Sequence, residues 1–103
     1  MIVLVTLPAR MDQSNAAEIS ACLAAAAQGH PDVLIADMSR TTSCDWAGAR
    51  ALAGAFSQAT AVGTELRLVT ASQAVRRVLT LNGLDRLLPM FEDVTSASAV
   101  AVG

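Results

Sequence analysis

The feature that most constrains this chain is the repeated return of a short apolar run after a helical stretch with its own start signal. Ile2 to Leu7 is largely β-branched and apolar, and Pro8 stops it. Val33-Leu34-Ile35-Ala36 is continuously apolar, and Leu66 to Val69 and Leu88 to Phe91 recur further on. A run without polar alternation has no side to show to water, so it reads as a strand buried on both faces, the habit of parallel sheets. Between the runs lie helices. Asn15 followed by Glu18 resembles a capping box and opens a helix from about Ala16 to Gln28. Its stripe is Ile19, Cys22, Leu23, Ala26 and Ala27, and Gly29 and Pro31 end it. Asp45 caps a second helix from about Trp46 to Val62, with Ala49, Leu52, Phe56 and Ala59 inward. Ser72 caps a third through about Leu81, with Val75, Val78 and Leu79 inward, and Asp93 opens a last, alanine-rich one. The order β-α-β-α-β-α-β-α predicts a single α/β domain over residues 1–103 with a largely parallel sheet.

Composition narrows what such a domain can do. With 53% hydrophobic residues the chain can bury a core, and with 21 alanines and 3% aromatics that core is aliphatic. The net charge is −2; all seven bases are Arg, and the only basic run is Arg76-Arg77. Nucleic acid demands a clustered positive footprint, which is missing. The apolar run Ala21 to Ala27 falls far short of the about 18 residues a membrane span needs, and no signal peptide is visible, so a cytoplasmic domain without direct membrane insertion is expected. Cys22 and Cys44 form no CxxC, and with His30 as the single imidazole no metal site and no cofactor are expected.

Few residues carry chemistry. No P-loop, GxGxxG, GxSxG or HExxH occurs. His30, between Gly29 and Pro31, reads as a helix-end residue, with a general base as the sharper alternative. Cys22 falls on an apolar stripe and reads as core. Cys44 precedes the capping Asp45; a thiolate at a helix start can be redox-active, whereas a Cys turned inward is inert. Trp46, the single Trp, opens the second helix on a face continued by Arg50, Ala53 and Ser57, offset from the Leu52–Phe56 stripe. It either anchors a partner or packs over Arg50.

Three stretches give the chain a family resemblance. The first is Leu7-Pro8-Ala9-Arg10-Met11-Asp12 with Asn15 and Ala17-Glu18-Ile19. The second is Val33-Leu34-Ile35-Ala36-Asp37-Met38-Ser39, then Cys44-Asp45-Trp46-Ala47-Gly48-Ala49. The third is Ser72-Gln73-Ala74-Val75-Arg76-Arg77-Val78-Leu79 with Leu81 and Gly83-Leu84-Asp85-Arg86-Leu87. From Leu7 to Phe91 the chain resembles a STAS domain of the bacterial anti-sigma factor antagonist type. The resemblance implies a mixed, mostly parallel sheet of about four strands with helices packed on it. It implies a non-enzymatic module in transcription regulation that binds an anti-sigma factor, a Ser/Thr kinase, through the start of the second helix.

Carried over residue by residue, the partner-binding surface is Asp12, Asp45, Trp46, Ala47, Gly48 and Arg50, with Gly48 allowing close backbone approach. The family's phosphoacceptor Ser falls on Ala47, which has no hydroxyl, so the resemblance implies binding that phosphorylation at 47 does not switch. Ser43, Thr42 and Thr41 are the substitute acceptors. The family's residue at Cys44 is buried and apolar. The family's first strand is missing ahead of Met1, which would leave a sheet edge open to a homodimer. Two other functions remain: a STAS subunit regulating a lipid transporter of the ABC type, and a thiol-based redox sensor using Cys44.

Overall fold

The structure, a computed structural model, describes residues 1–101. The main elements alternate as expected: β1 (Ile2–Thr6), α1 (Ala16–Ala27), β3 (Val33–Met38), α2 (Trp46–Ala61), β5 (Glu65–Thr70), α3 (Gln73–Leu81) and α5 (Val94–Ala99). Three short elements lie between them: strands β2 (Arg10–Met11) and β4 (Ser43–Cys44), and helix α4 (Leu84–Leu87). The last strand, β6, is Met90–Phe91, because Leu84–Leu87 turns as a helix and Pro89 takes no ladder bond through its own nitrogen.

The main sheet has the order β1-β3-β5-β6 and every pairing in it is parallel, so the mixed sheet implied by the resemblance is wholly parallel here. Ile35 pairs with Leu4 on one side and Arg67 on the other. All six residues of β3 are buried, as a continuous apolar run in a central parallel strand should be. One face of the sheet, through Leu34, Ala36, Leu66 and Leu68, packs with Leu23 of α1, Leu52 of α2 and Leu79 of α3. The other face, through Val33, Ile35 and Val69, is covered by Ala97 of α5. β2 and β4 form a separate parallel ladder, Arg10 opposite Ser43 and Met11 opposite Cys44.

A fully buried Arg67 at the middle of β5 was not singled out by the sequence pattern. Its Nε donates to Glu65 Oε2 at 2.6 Å, and its Nη atoms donate to the carbonyls of Ala97, Val100 and Ala101 at 2.7–3.2 Å. The guanidinium thus ties the end of α5 to the sheet, satisfying carbonyls that a helix end leaves without partners.

Two expectations change. Asn15 is the first flanking residue of α1 but its side chain caps nothing; Nδ2 donates to Arg10 O at 2.7 Å and Oδ1 accepts from Asp12 N–H at 3.0 Å. It ties the loop after β2 rather than the helix. Cys22 is exposed, not core. β1 is the outermost strand, so the flank of α1 carrying Cys22 overhangs the sheet edge and lines an open groove with Thr6, Leu7, Pro8 and Glu18.

That edge is open in its backbone too. Leu7 N–H donates to Asp37 O, and Met1 O accepts from Asp32 N–H, both at 2.9 Å. Alternate residues of a parallel strand bond to the same neighbour, so Ile2, Leu4 and Thr6 turn their backbone groups outward. Ile2 and Leu4 also keep 46% and 42% of their side-chain surface exposed.

Candidate functional site

The expected surface gathers where β2, β4 and the start of α2 meet. Asp45 has extended backbone and its Oδ1 accepts from Ala47 N–H at 2.9 Å and Gly48 N–H at 3.2 Å, as an N-cap should. Asp45 N–H donates to Met11 O at 3.1 Å, pinning the helix start to β2. The first turn of α2 is therefore fixed at both its cap and its approach.

Trp46 projects from this fixed turn with 51% of its surface open to solvent. The Arg50 guanidinium lies 5.6 Å from the ring centroid, one turn along the helix. The ring packs with Arg50, as one of the two readings expects, and keeps a large exposed area. Trp46 and Arg50 wall a groove of about 320 Å³ whose other side is Gln13, in the turn before α1, with Ala16, Ala17 and Ser20 of α1.

Ala47 and Gly48 are not surface residues. Ala47 keeps 7% exposure, and Gly48 faces the β2–β4 ladder. A Cβ at Gly48 would sit 2.8 Å from Cys44 Sγ and 3.0 Å from Met11 Cβ. The close approach that glycine permits is between α2 and its own sheet rather than toward a partner.

Asp12 is half-buried. Its Oδ1 accepts from the backbone and side chain of Ser14, and Arg10 Nε lies 3.3 Å from its other oxygen. The Ser14 hydroxyl first, then the Ser14 N–H and Arg10, hold this carboxyl below its ordinary value. Asp12 is thus built into the loop and remains accessible beside the start of α2.

The hydroxyls before α2 divide cleanly. Thr41 is buried and its Oγ1 donates to Pro8 O at 2.8 Å. Thr42 and Ser43 are exposed, with Thr42 Oγ1 donating to Ala9 O at 3.3 Å.

Cys44 is buried, and burial, with a smaller push from Asp45, raises its thiol to about 11. A redox-active thiol needs the opposite shift. His30 has φ 51°, and its N–H donates to Ala27 O at 2.9 Å, the behaviour of a residue closing a helix. Among the described residues no cluster of His, Cys, Asp and Glu could hold a metal ion, and no helix is long and apolar enough to cross a membrane.

Comparison with known proteins agrees with this architecture. No curated protein matches the chain significantly in sequence. Among solved structures, an anti-sigma factor antagonist from Mycobacterium paratuberculosis is similar at 22% identity and a TM-score of 0.85, over 94% of this chain and 82% of that one. The Bacillus cell fate determinant SpoIIAA in its phosphorylated form is similar at 22% identity and 0.69, over 97% and 91%. The anti-sigma factor antagonist SpoIIAA in its unphosphorylated form gives 22% and 0.67, over 95% and 84%. The sequence profile of the STAS domain matches residues 1–97. With the parallel sheet, the capped α2 and that profile in agreement, the chain belongs to the STAS domain family.

Proposed function

We propose that this STAS domain is a non-enzymatic interaction module that acts as an anti-sigma factor antagonist, docking the start of α2 on an anti-sigma Ser/Thr kinase. The observation that carries the reading is Trp46. A half-open indole on a helix turn held by Asp45 and Met11 is a preorganised anchor, and such aromatic anchors dominate binding energy in protein interfaces. Asp12 and Arg50 flank it as the polar rim, while Asp45, Ala47 and Gly48 set the geometry from beneath.

Binding here is not released by phosphorylation at position 47. Phosphate at a docking surface breaks a complex by adding nearly two negative charges, but an alanine methyl cannot accept it. Ser43 and Thr42 are the remaining exposed acceptors near the helix start. The test is co-purification of wild type and Trp46→Ala from the source cell, with partners identified by mass spectrometry. An anti-sigma kinase held by wild type and lost from Trp46→Ala supports the reading. Subunits of a lipid transporter in its place would keep the surface and replace the pathway.

A specific observation favours a second contact, between two copies. The outward backbone groups of Ile2, Leu4 and Thr6 form an uncharged edge that carries no Pro, Lys or bulge to block pairing. Antiparallel pairing of two β1 strands sets Leu4 opposite Leu4 and Ile2 opposite Thr6. Sedimentation equilibrium would then show a dimer for wild type and a monomer for Leu4→Lys; equal masses for the two would remove this contact.

A further inference from the structure

A crevice at the carboxyl ends of β5 and β6 shares no residue with the docking surface on α2. β5 leads into α3, whose Val75 and Leu79 pack on the sheet face of Leu66 and Leu68. β6 leads into α5, whose Ala97 packs on the opposite face with Val69. Neighbouring parallel strands that send their helices to opposite faces leave a gap beyond their ends, and open α/β sheets take ligands at such gaps. Here the gap holds about 340 Å³ between Thr70, the start of α3 and Glu92 with Asp93. Thr70 is 2% exposed, and its Oγ1 has no hydrogen-bond partner among the described residues. Alternation along β5 turns this side chain to the face of Leu66 and Leu68, under the first turn of α3. A buried hydroxyl without a partner costs the fold stability, which a ligand accepting its proton offsets.

The two walls of the crevice carry opposite charge. On the α3 side, Ser72 Oγ accepts from Val75 N–H and Ser72 O from Arg76 N–H. The N–H groups of Gln73 and Ala74 are left without partners in the helix. Arg76 adds a guanidinium that joins no ion pair among the described residues. On the other side, Glu92 follows the last β5–β6 rung, Val69 opposite Phe91, and joins no ion pair among them either. Asp93 beside it engages Oδ1 with Ser96 N–H. A phosphate or a plain carboxylate would satisfy the donors of α3 and be repelled by the carboxylates opposite. A molecule carrying both an anion and an ammonium satisfies both walls. We infer that the crevice binds a small free amino acid as its zwitterion. The carboxylate accepts from the first N–H groups of α3, from Arg76 and from the Thr70 hydroxyl, and the ammonium donates to Glu92.

The probes are the twenty free amino acids, β-alanine and γ-aminobutyrate, with their N-acetyl and carboxamide forms and inorganic phosphate as controls. Calorimetry reads affinity, and amide shifts read the place of binding. The expected result is at least one amino acid with a Kd below about 1 mM that moves the amides of Gln73, Ala74 and Glu92. Its N-acetyl and carboxamide forms should bind at least about tenfold more weakly, and so should the free amino acid to Arg76→Gln and to Glu92→Gln. Thr70→Val should bind it more weakly while keeping or raising Tm without ligand, because a methyl of the same shape replaces an unpartnered buried hydroxyl. No amino acid binding below about 1 mM, or equal binding of the capped forms, would overturn the inference. Phosphate that moves the same amides and binds Glu92→Gln more tightly than wild type would also overturn it, leaving a plain anion site. A lower Tm for Thr70→Val without ligand would overturn it as well, since the hydroxyl would then serve the fold.

Discussion

Replacing Gly48 by Ala sets two effects of known sign against each other. In an open helix the change gains about 1 kcal/mol, because glycine loses more backbone entropy on folding. Here the added methyl lands 2.8 Å from Cys44 Sγ, 3.0 Å from Met11 Cβ and 3.2 Å from Met11 O. Carbon contacts are comfortable at about 3.5–4.0 Å, so the methyl lies inside the repulsive wall. Relief is hard to find. Met11 and Cys44 are buried and paired across the β2–β4 ladder, and Asp45 N–H holds the helix start to Met11 O. Overpacking of this kind costs about 2 kcal/mol, leaving a net loss of about 1 kcal/mol, or roughly 4–8 °C in Tm for a domain of this size. Thermal unfolding followed by circular dichroism reads the effect. In a Cys44→Ala background the nearest clashing atom is gone, so the same substitution should cost less, with a coupling of at least about 0.5 kcal/mol. The reasoning is refuted if Gly48→Ala stabilises the protein as an open helix site would, or if the two positions show no coupling.

Other perturbations test separate parts of the account. Arg67→Ala leaves Glu65 and the carbonyls of Ala97, Val100 and Ala101 without their donor, so urea unfolding should show a loss of about 3–5 kcal/mol, and an unchanged midpoint would contradict the clamp. Native-state labelling with a thiol reagent near neutral pH should modify Cys22 quickly and Cys44 slowly; fast labelling of both would revive the redox reading. The carboxyls of Asp12 and Asp93 are held below 3.8, chiefly by bonds from Ser14 and Ser96. A depressed folded pKa gives stability that is present above the unfolded value and lost as pH falls through the folded one. Unfolding midpoints should therefore drop below about pH 3.8, and Asp93→Asn should flatten part of that fall; an identical acid limb in both proteins would count against it.

Much of the fold can be read from particular residues. Val33 to Ala36 predicts a strand buried on both faces, and the structure extends it to Met38 because Asp37 pairs with Thr6 and Val69, and Met38 with Thr70. Asp45, Ser72 and Asp93 are all legible as caps, since each precedes a helical period with a short acceptor side chain. Asn15 misleads because the same chemistry serves loops equally well, and only the neighbouring β2 turn decides where its amide goes. Cys22 fails for a related reason. Helical periodicity gives the stripe, whereas exposure at its margin depends on whether a strand lies beyond the helix, which is a property of the sheet.

At the site, Trp46 and Arg50 are legible as a helix face set apart from the core stripe, and the structure keeps them together. Position 48 is read correctly as a place needing glycine, with the wrong neighbour assigned. Closeness to Met11 and Cys44 arises from a two-residue ladder too short to leave a pattern. Arg67 leaves no signal either: a charged residue inside a strand run looks like an exposed edge until the end of α5 supplies its partners.

The most direct measurement mixes this protein with an anti-sigma kinase from its source cell, adds ATP and magnesium, and follows both the complex and the phosphate on this chain by intact mass. The account predicts a complex that persists, with no phosphate placed at the start of α2, and that is weakened by Trp46→Ala. A complex that dissolves as phosphate appears on Ser43 or Thr42 would contradict it.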